Sequence, residues 1–327
     1  MNRKLSIKEI AQLTGVSTAT VSRVINNNGR FSEETRKRVQ NIIEKYGYEP
    51  NRVAKSLRIN KSNTVGIIVP DITNSFFSST VQQIEAYLFE HGYSTIICNT
   101  AHNQEKESQY LKVLESEMVD GIIIISGAID FKSTDLHSKL PLICIDRNPK
   151  DNDVLFVGSD HYAGAVLATE YLLKQTQDIT IMSPKQKSVA TLERLRGFQD
   201  VTKKNTQITS TVFLYDDVEE PIQHFLIQKR NTASVFGIFA NSDDLAAKIL
   251  LQAHLLGIQI PEQLKLVGFD DAPIAQVCYP QLTTVRQNKK EIAELASERL
   301  IKLIHNLPIK GKKNIQVPVK LVVRGTA

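Results

Sequence analysis

Cysteine is scarce, with only Cys98, Cys144 and Cys278 in 327 residues. They are odd in number and far apart, without nearby Cys or His partners at ligand spacing. Neither a disulfide framework nor a thiolate metal centre is expected. Cys98 and Cys144 sit in apolar, strand-like runs, where a thiol packs as a small buried hydrophobe, and a reducing cytoplasm suits all three. Tryptophan is absent altogether. No apolar run approaches the roughly 20 residues needed to cross a bilayer. Met1 to Lys8 leads straight into an amphipathic helical pattern instead of an apolar secretion signal, so neither export nor a membrane partner is expected. Also missing are a Walker loop, a dinucleotide glycine fingerprint, a nucleophile elbow and a metal-ligand cluster, and the 7 histidines are scattered. The neighbouring pairs Asp243-Asp244 and Asp270-Asp271 offer no acid–base couple, because adjacent side chains point apart. The expectation is a protein that is not an enzyme and carries no cofactor or metal.

What is present is charge, unevenly spread. Up to Ser62 the chain has 13 basic and 5 acidic residues, leaving 27 of its 40 basic and 30 of its 35 acidic residues for the rest. A small basic module on a near-neutral body is the electrostatic footprint of a polyanion binder.

The basic module reads as three short helices. Ser6 caps the first, with Ile7, Ile10, Ala11 and Leu13 inward, and Gly15 ends it by admitting positive φ. Ser17 caps the second, with Val21, Val24 and Ile25 inward, before Asn26-Asn27-Asn28-Gly29 breaks the chain. Ser32 caps the third, with Thr35, Val39, Ile42 and Ile43 inward, closing near Gly47. A basic stretch from Asn51 to Leu57 allows two turns of helix, too few to be stable alone. From Thr64 the texture changes to alternating strands and helices. Strands are expected at Thr64–Pro70, Thr95–Cys98, Gly121–Ser126, Pro141–Ile145, Ile179–Met182, Val235–Ala240 and Leu264–Phe269. Helices are expected at Phe76–Glu90, Glu105–Glu117, His161–Lys174 and Asp243–Leu256. Such alternation implies parallel sheets covered by helices on both faces, and its length suggests two lobes.

In the run from Ile7 to Asn26, two helices meet at a tight turn on Gly15. The second offers Thr18, Ala19, Ser22 and Arg23 outward. These are side chains short enough to let the backbone near base edges, plus an arginine that can bond guanine bidentately.

The segment Gly15 to Asn26 resembles the signature of the lactose/galactose repressor family of transcriptional regulators. The resemblance continues through Tyr48-Glu49-Pro50-Asn51, Ala54-Lys55-Ser56-Leu57, Val65 to Asp71, Val119 to Ile122, Arg194 to Phe198, Val267 to Asp271 and Leu282 to Gln287. It implies an α-helical helix-turn-helix DNA-binding domain (1–49), a hinge helix (50–62) and a bilobed α/β core like that of periplasmic binding proteins (63–327). The core would be two doubly wound parallel sheets, lobe 1 from 63–160 with 288–315 and lobe 2 from 161–287 with 316–327. It further implies a repressor of a carbohydrate-utilisation operon, acting as a homodimer on a palindromic operator. Ser17, Thr18, Ala19, Thr20, Ser22, Arg23 and Asn26 would face DNA, as would Asn51, Ala54 and Leu57 in the hinge, with Leu57 wedged into the minor groove. The tail lacks a leucine-heptad extension, so a dimer is expected over a tetramer.

In a core of this kind, ligands sit outside the carboxyl ends of parallel strands. Asn74, Phe76, Phe77, Asp146, Arg147, Arg194, Ser242, Asp243, Asp270 and Gln287 stand at or just beyond such ends. Carboxylates accept from sugar hydroxyls, arginine donates to them, and aromatic faces cover the C–H side of a sugar ring. A mono- or disaccharide, or its phosphate, is the expected effector. Ser242 departs from the Asn of many sugar-binding relatives. Arg147 stands where purine-binding members carry a stacking Trp, which disfavours a purine. The alternative within the family is a catabolite-control regulator answering to a phosphorylated phosphocarrier protein.

Overall fold

A computed structural model describes residues 5–48, 61–125, 140–147, 154–185, 188–216, 219–231 and 235–327. They fall into two compact units, Met1–Ser62 and Asn63–Ala327.

In the first unit, α1 (Ile7–Thr14), α2 (Thr18–Ile25) and α3 (Glu33–Tyr46) bury a small core of Ile10, Ala11, Val21, Val24 and Val39. Ser6, Ser17 and Ser32 cap the three helices as the sequence suggests. Leu13 differs from expectation: it is 51% exposed, and Thr14 is buried instead. Helical geometry explains this, since Ile7, Ile10, Ala11 and Thr14 share one face at i, i+3, i+4 and i+7 while Leu13 lies off it. The Thr14 hydroxyl is satisfied inside by donating to the Ile10 carbonyl at 2.7 Å.

The second unit holds two six-stranded sheets. The first comprises β1 (Thr64–Val69), β2 (Ser94–Asn99), β3 (Gly121–Ile125), β4 (Leu142–Ile145), β5 (Leu155–Ser159) and β11 (Asn314–Val317), in the order β11-β5-β4-β3-β1-β2. All its pairings are parallel. The second comprises β6 (Asp178–Pro184), β7 (Thr209–Tyr215), β8 (Phe236–Ala240), β9 (Leu264–Asp270), β10 (Thr283–Arg286) and β12 (Lys320–Val322), in the order β12-β10-β9-β8-β6-β7. Only its β10–β12 pair is antiparallel. Strands buried on both faces read as unbroken apolar runs. In β1, Val65, Ile67 and Val69 pack against α4 (Ser75–Glu90) and α11 (Lys289–Ile304), while Ile68 joins Leu111 and Leu114 of α5 (Gln104–Ser116) on the other face. The second sheet is likewise sandwiched, by α6 (His161–Leu173) and α7 (Val189–Lys203) on one face and by α8 (Glu219–Arg230) and α9 (Asp243–Leu255) on the other. The chain passes between the sheets at 159–161, 286–289 and 317–320.

One glycine fixes how α6 and α7 meet. A Cβ on Gly197 would lie 2.7 Å from the Tyr162 carbonyl oxygen and 2.8 Å from the Ala165 Cβ. Backbone stands in the way on one side, so the helices must part to admit a methyl. Gly197→Ala is expected to destabilise the core by about 1–3 kcal/mol, the usual cost of overpacking, read as a lowered denaturation midpoint at unchanged m-value. Wild-type stability in this variant would refute the close approach.

Candidate functional site

In the small unit, Gly15 takes φ 67°, turning the chain so that α2 begins three residues later. Val21 and Val24 point inward, which leaves Thr18, Ala19 and Arg23 exposed on the opposite face. Four of the expected DNA-facing residues also hold the helix together. Ser17 Oγ accepts from the Thr20 amide at 3.1 Å and lies 2.9 Å from the Thr20 hydroxyl. The exposed Asn26 donates through Nδ2 to the Ser22 carbonyl at 2.7 Å, and Ser22 is half-buried. Asn51, Ala54 and Leu57 lie outside the described residues.

In the core, loops after the carboxyl ends of strands from both sheets enclose a cavity of about 430 Å³, within the roughly 300–1,000 Å³ typical of small-ligand pockets. Of the expected effector residues, Asn74, Phe76, Phe77, Asp146, Arg194, Ser242 and Asp270 line it. Phe76 and Phe77 meet edge to face, with centroids 5.6 Å apart. Asn74 is largely committed elsewhere. Its Oδ1 accepts from the Phe76 and Phe77 amides, capping α4, and its Nδ2 donates to Asp244 at 2.8 Å. Ser75 donates to the other Asp244 oxygen at 2.9 Å, so two side chains of one lobe grip a carboxylate of the other.

Arg147, Asp243 and Gln287 are not among the lining residues. Arg147 is buried, and its Nη1 donates to both oxygens of Glu107 at 2.9 Å. That partner, which itself lines the cavity, explains an arginine beside an apolar strand without a ligand. Asp243 braces the sheet behind the cavity, accepting from the Thr284 hydroxyl at 2.6 Å and the Ala272 amide at 2.8 Å. Ser242 caps α9 by accepting from the Leu245 amide at 3.3 Å. Gln287 donates to Asp270 at 2.5 Å.

The lining acids are joined by a buried chain that crosses between lobes. Asp146 accepts from the Ser159 amide and from His161 Nε2, each at 2.9 Å. His161 Nδ1 lies 3.3 Å from Arg194 Nη2, which lies 3.5 Å from Asp270. With Arg194 donating to Nδ1, His161 donates its Nε2–H to the Asp146 carboxylate. Arg194 Nη1 also donates to the Asn241 carbonyl, and the guanidinium carbon sits 3.7 Å from the Phe269 ring centroid. Its Nε is buried with no partner among the described residues. The anchoring acids are held in left-handed backbone, at φ 51° for Asp146 and 118° for Asp270, conformations that persist only where the surroundings over-determine them.

Burial opposes ionisation of Asp146, but His161, the Ser159 amide and Arg194 outweigh it and hold the carboxyl below its ordinary value. Burial lowers the pKa of Arg194, against the pull of Asp270 and Asp146. Burial pushes Asp243 up to about 8, helped by the charge of Asp270. It pushes Asp270 up to about 7, with Arg194 and Lys289 resisting. The folded core therefore keeps protons that the unfolded chain releases above a pKa of 3.8. Where the folded state binds more protons, stability falls as pH rises. Core stability is expected to decline from pH 5 to pH 8, a window in which the depressed carboxyls of Asp146 and Asp271 are already ionised. Asp243→Asn is expected to flatten the decline by about 1 kcal/mol or more, roughly 2–4 °C in Tm for a domain of this size. Parallel pH profiles for variant and wild type would remove Asp243 as its source.

Sequence reasoning missed His161, Glu107, Asp71, His102 and Asn241. His161 had a local signal, following a Ser-Asp pair where a strand-like run gives way to a helix. Nothing local pairs Glu107 with Arg147, 40 residues away.

A helical DNA-reading unit followed by two parallel-sheet lobes around a polar cavity defines a ligand-responsive transcriptional regulator. The family model for bacterial regulatory proteins of the lacI family matches residues 6–51, and that for the periplasmic binding protein-like domain matches 170–327. The chain is 34% identical to the ribose operon repressor of Halalkalibacterium halodurans, over 98% of this chain and 96% of that one. A regulator from Alkaliphilus metalliredigens, solved with D-xylulofuranose, is 28% identical with TM-score 0.73, over 81% of this chain and 98% of that one. The lac repressor dimer bound to operator superposes with TM-score 0.85 at 24% identity, over 99% of each chain. The chain belongs to the lacI family of bacterial regulatory proteins.

Proposed function

We propose that the chain represses a carbohydrate-utilisation operon as a cytoplasmic homodimer, with residues 1–49 reading a palindromic operator, 50–62 connecting, and 63–327 sensing a small sugar or sugar phosphate. It regulates and does not catalyse. The observation that carries this reading is the interlobe cavity, where carboxylates, a buried arginine and two phenylalanines converge from strand ends of both lobes. The operon named for the Halalkalibacterium halodurans relative supports a sugar as effector. Thr18, Ala19 and Arg23 contact bases, while Ser17, Thr20, Ser22 and Asn26 fix the helix that carries them. A sugar shifts the equilibrium only through its different affinity for the two core states. Sugar and operator then weaken each other reciprocally, typically by about 1–3 kcal/mol. The test is fluorescence anisotropy of the protein on its operator, titrated with a sugar panel and separately with a phosphorylated phosphocarrier protein. Release by a sugar is expected. A response to the phosphocarrier alone would make the chain a catabolite-control regulator instead.

A further inference from the structure

The charge of the cavity wall separates the two effector classes left open above. Among the described lining residues, the acids are Asp71, Glu107, Asp146 and Asp270, and the basic side chains are Arg194 and His102. Glu107 is matched by Arg147 from behind. Arg194 is matched by Asp270 at 3.5 Å, with Asp146 next along the same chain through His161. Its two Nη groups are committed to Asn241, His161 and Asp270. Asp71, at the start of the loop that follows β1, accepts from the Thr73 amide at 2.9 Å and hydroxyl at 2.7 Å, and forms no ion pair among the described residues. A phosphate monoester carries about −1.5 to −2 charges at neutral pH and is held by bidentate arginine, lysine or a row of amides. The described lining carries mostly carboxylate oxygens that accept, with one buried Arg194 Nε–H unspent.

We infer that the effector is an uncharged, unphosphorylated sugar, whose hydroxyls donate to the wall carboxylates and accept from Arg194 Nε. This rests on the sugar-responsive reading above and narrows it. An uncharged polyol loses nothing to the acidic field, and its C–H face meets the paired rings of Phe76 and Phe77. A phosphate ester must enter against Asp71, while Arg194, the guanidinium of the described lining, is already paired with Asp270 and His102 is the other basic side chain there. Buried charges interact strongly and are little screened by salt.

The test is calorimetry on the full-length protein with D-ribose, D-fructose, D-glucose and sucrose, each beside its terminal phosphate ester, at two ionic strengths. At least one free sugar is expected to bind with an affinity insensitive to salt, and its ester roughly 100-fold more weakly or worse. In Asp71→Asn, which keeps the acceptor oxygen for Thr73, the ratio of ester affinity to free-sugar affinity is expected to rise several-fold. An ester that binds as well as its parent sugar, or better, overturns the inference and leaves the sugar-responsive reading standing. No heat from any of the eight compounds overturns both.

Discussion

Arg194→Ala is expected to yield a repressor that holds its operator and no longer releases it when sugar is added. The guanidinium joins the Asn241 carbonyl, His161, Asp270 and the Phe269 face in one buried cluster. Its loss removes the donor side of the cavity and leaves Asp270 with Gln287 as its side-chain hydrogen-bond partner among the described residues. Breaking a buried pair by deleting one partner costs about 3–5 kcal/mol. Asp270 softens that cost by taking up a proton, since its carboxyl is already raised to about 7. The core should therefore melt several degrees lower yet still fold, and the reading head, whose own core involves none of these residues, should bind operator as before. Asp270→Asn separates response from stability: it keeps the shape, can still meet Gln287, and leaves no uncompensated charge. It too should abolish release, at a smaller cost in Tm, because a lost carboxylate strands sugar hydroxyls in a dry cleft. Release at the wild-type sugar concentration by both variants would sink the role given to this cluster.

Where periodicity and composition spoke strongly, the fold was legible. The apolar runs of β1, β3, β4 and β8 are buried on both faces and stood out as such. Less visible was β7, a sheet-edge strand whose apolar run is only Val212 to Tyr215, with Val212 and Leu214 exposed. Strands β11 and β12 span four and three residues, too short for a period to register. Helix α7 begins at Val189, five residues before Arg194, where Ser188 and Thr191 form a reciprocal cap.

The site was legible in position and opaque in pairing. Strand ends localise a ligand crevice in any doubly wound sheet, and seven of the ten expected residues do line the cavity. What a side chain does there depends on partners distant in sequence. Asn74 reaches Asp244 across 170 residues and Arg147 reaches Glu107 across 40. The acidic pairs show the same thing. Asp270 faces Arg194 and Gln287, while Asp271 binds Arg286 and Arg324. Asp243 braces β10, while Asp244 bridges the lobes. Adjacent residues pointing apart was foreseeable; their partners were not.

Arg23→Ala is expected to weaken operator binding by about 1–3 kcal/mol, the loss associated with one base-reading arginine. The side chain leaves α2 on its exposed face, beside Thr18 and Ala19. Its position is supported from below: Gly29 turns with φ 94°, and a Cβ there would fall 3.2 Å from Arg23 Cδ, so the Asn-rich turn lies against the aliphatic stem. The Arg23 carbonyl also accepts from the Asn28 amide at 2.9 Å, which ties that turn to the helix. Because the stem is braced while the guanidinium projects outward, little side-chain entropy remains to be lost on binding. Two measurements separate base reading from simple attraction to phosphate. Affinity for random DNA should change much less than affinity for operator, and the slope of log K against log salt should stay nearly constant. A phosphate-contacting arginine would lower both affinities alike and reduce the salt slope by about one. Head stability is a further control, since Arg23 contributes nothing to the core of Ile10, Ala11, Val21, Val24 and Val39. Equal loss on operator and random DNA, with a shallower salt slope, would move Arg23 from the base edges to the backbone.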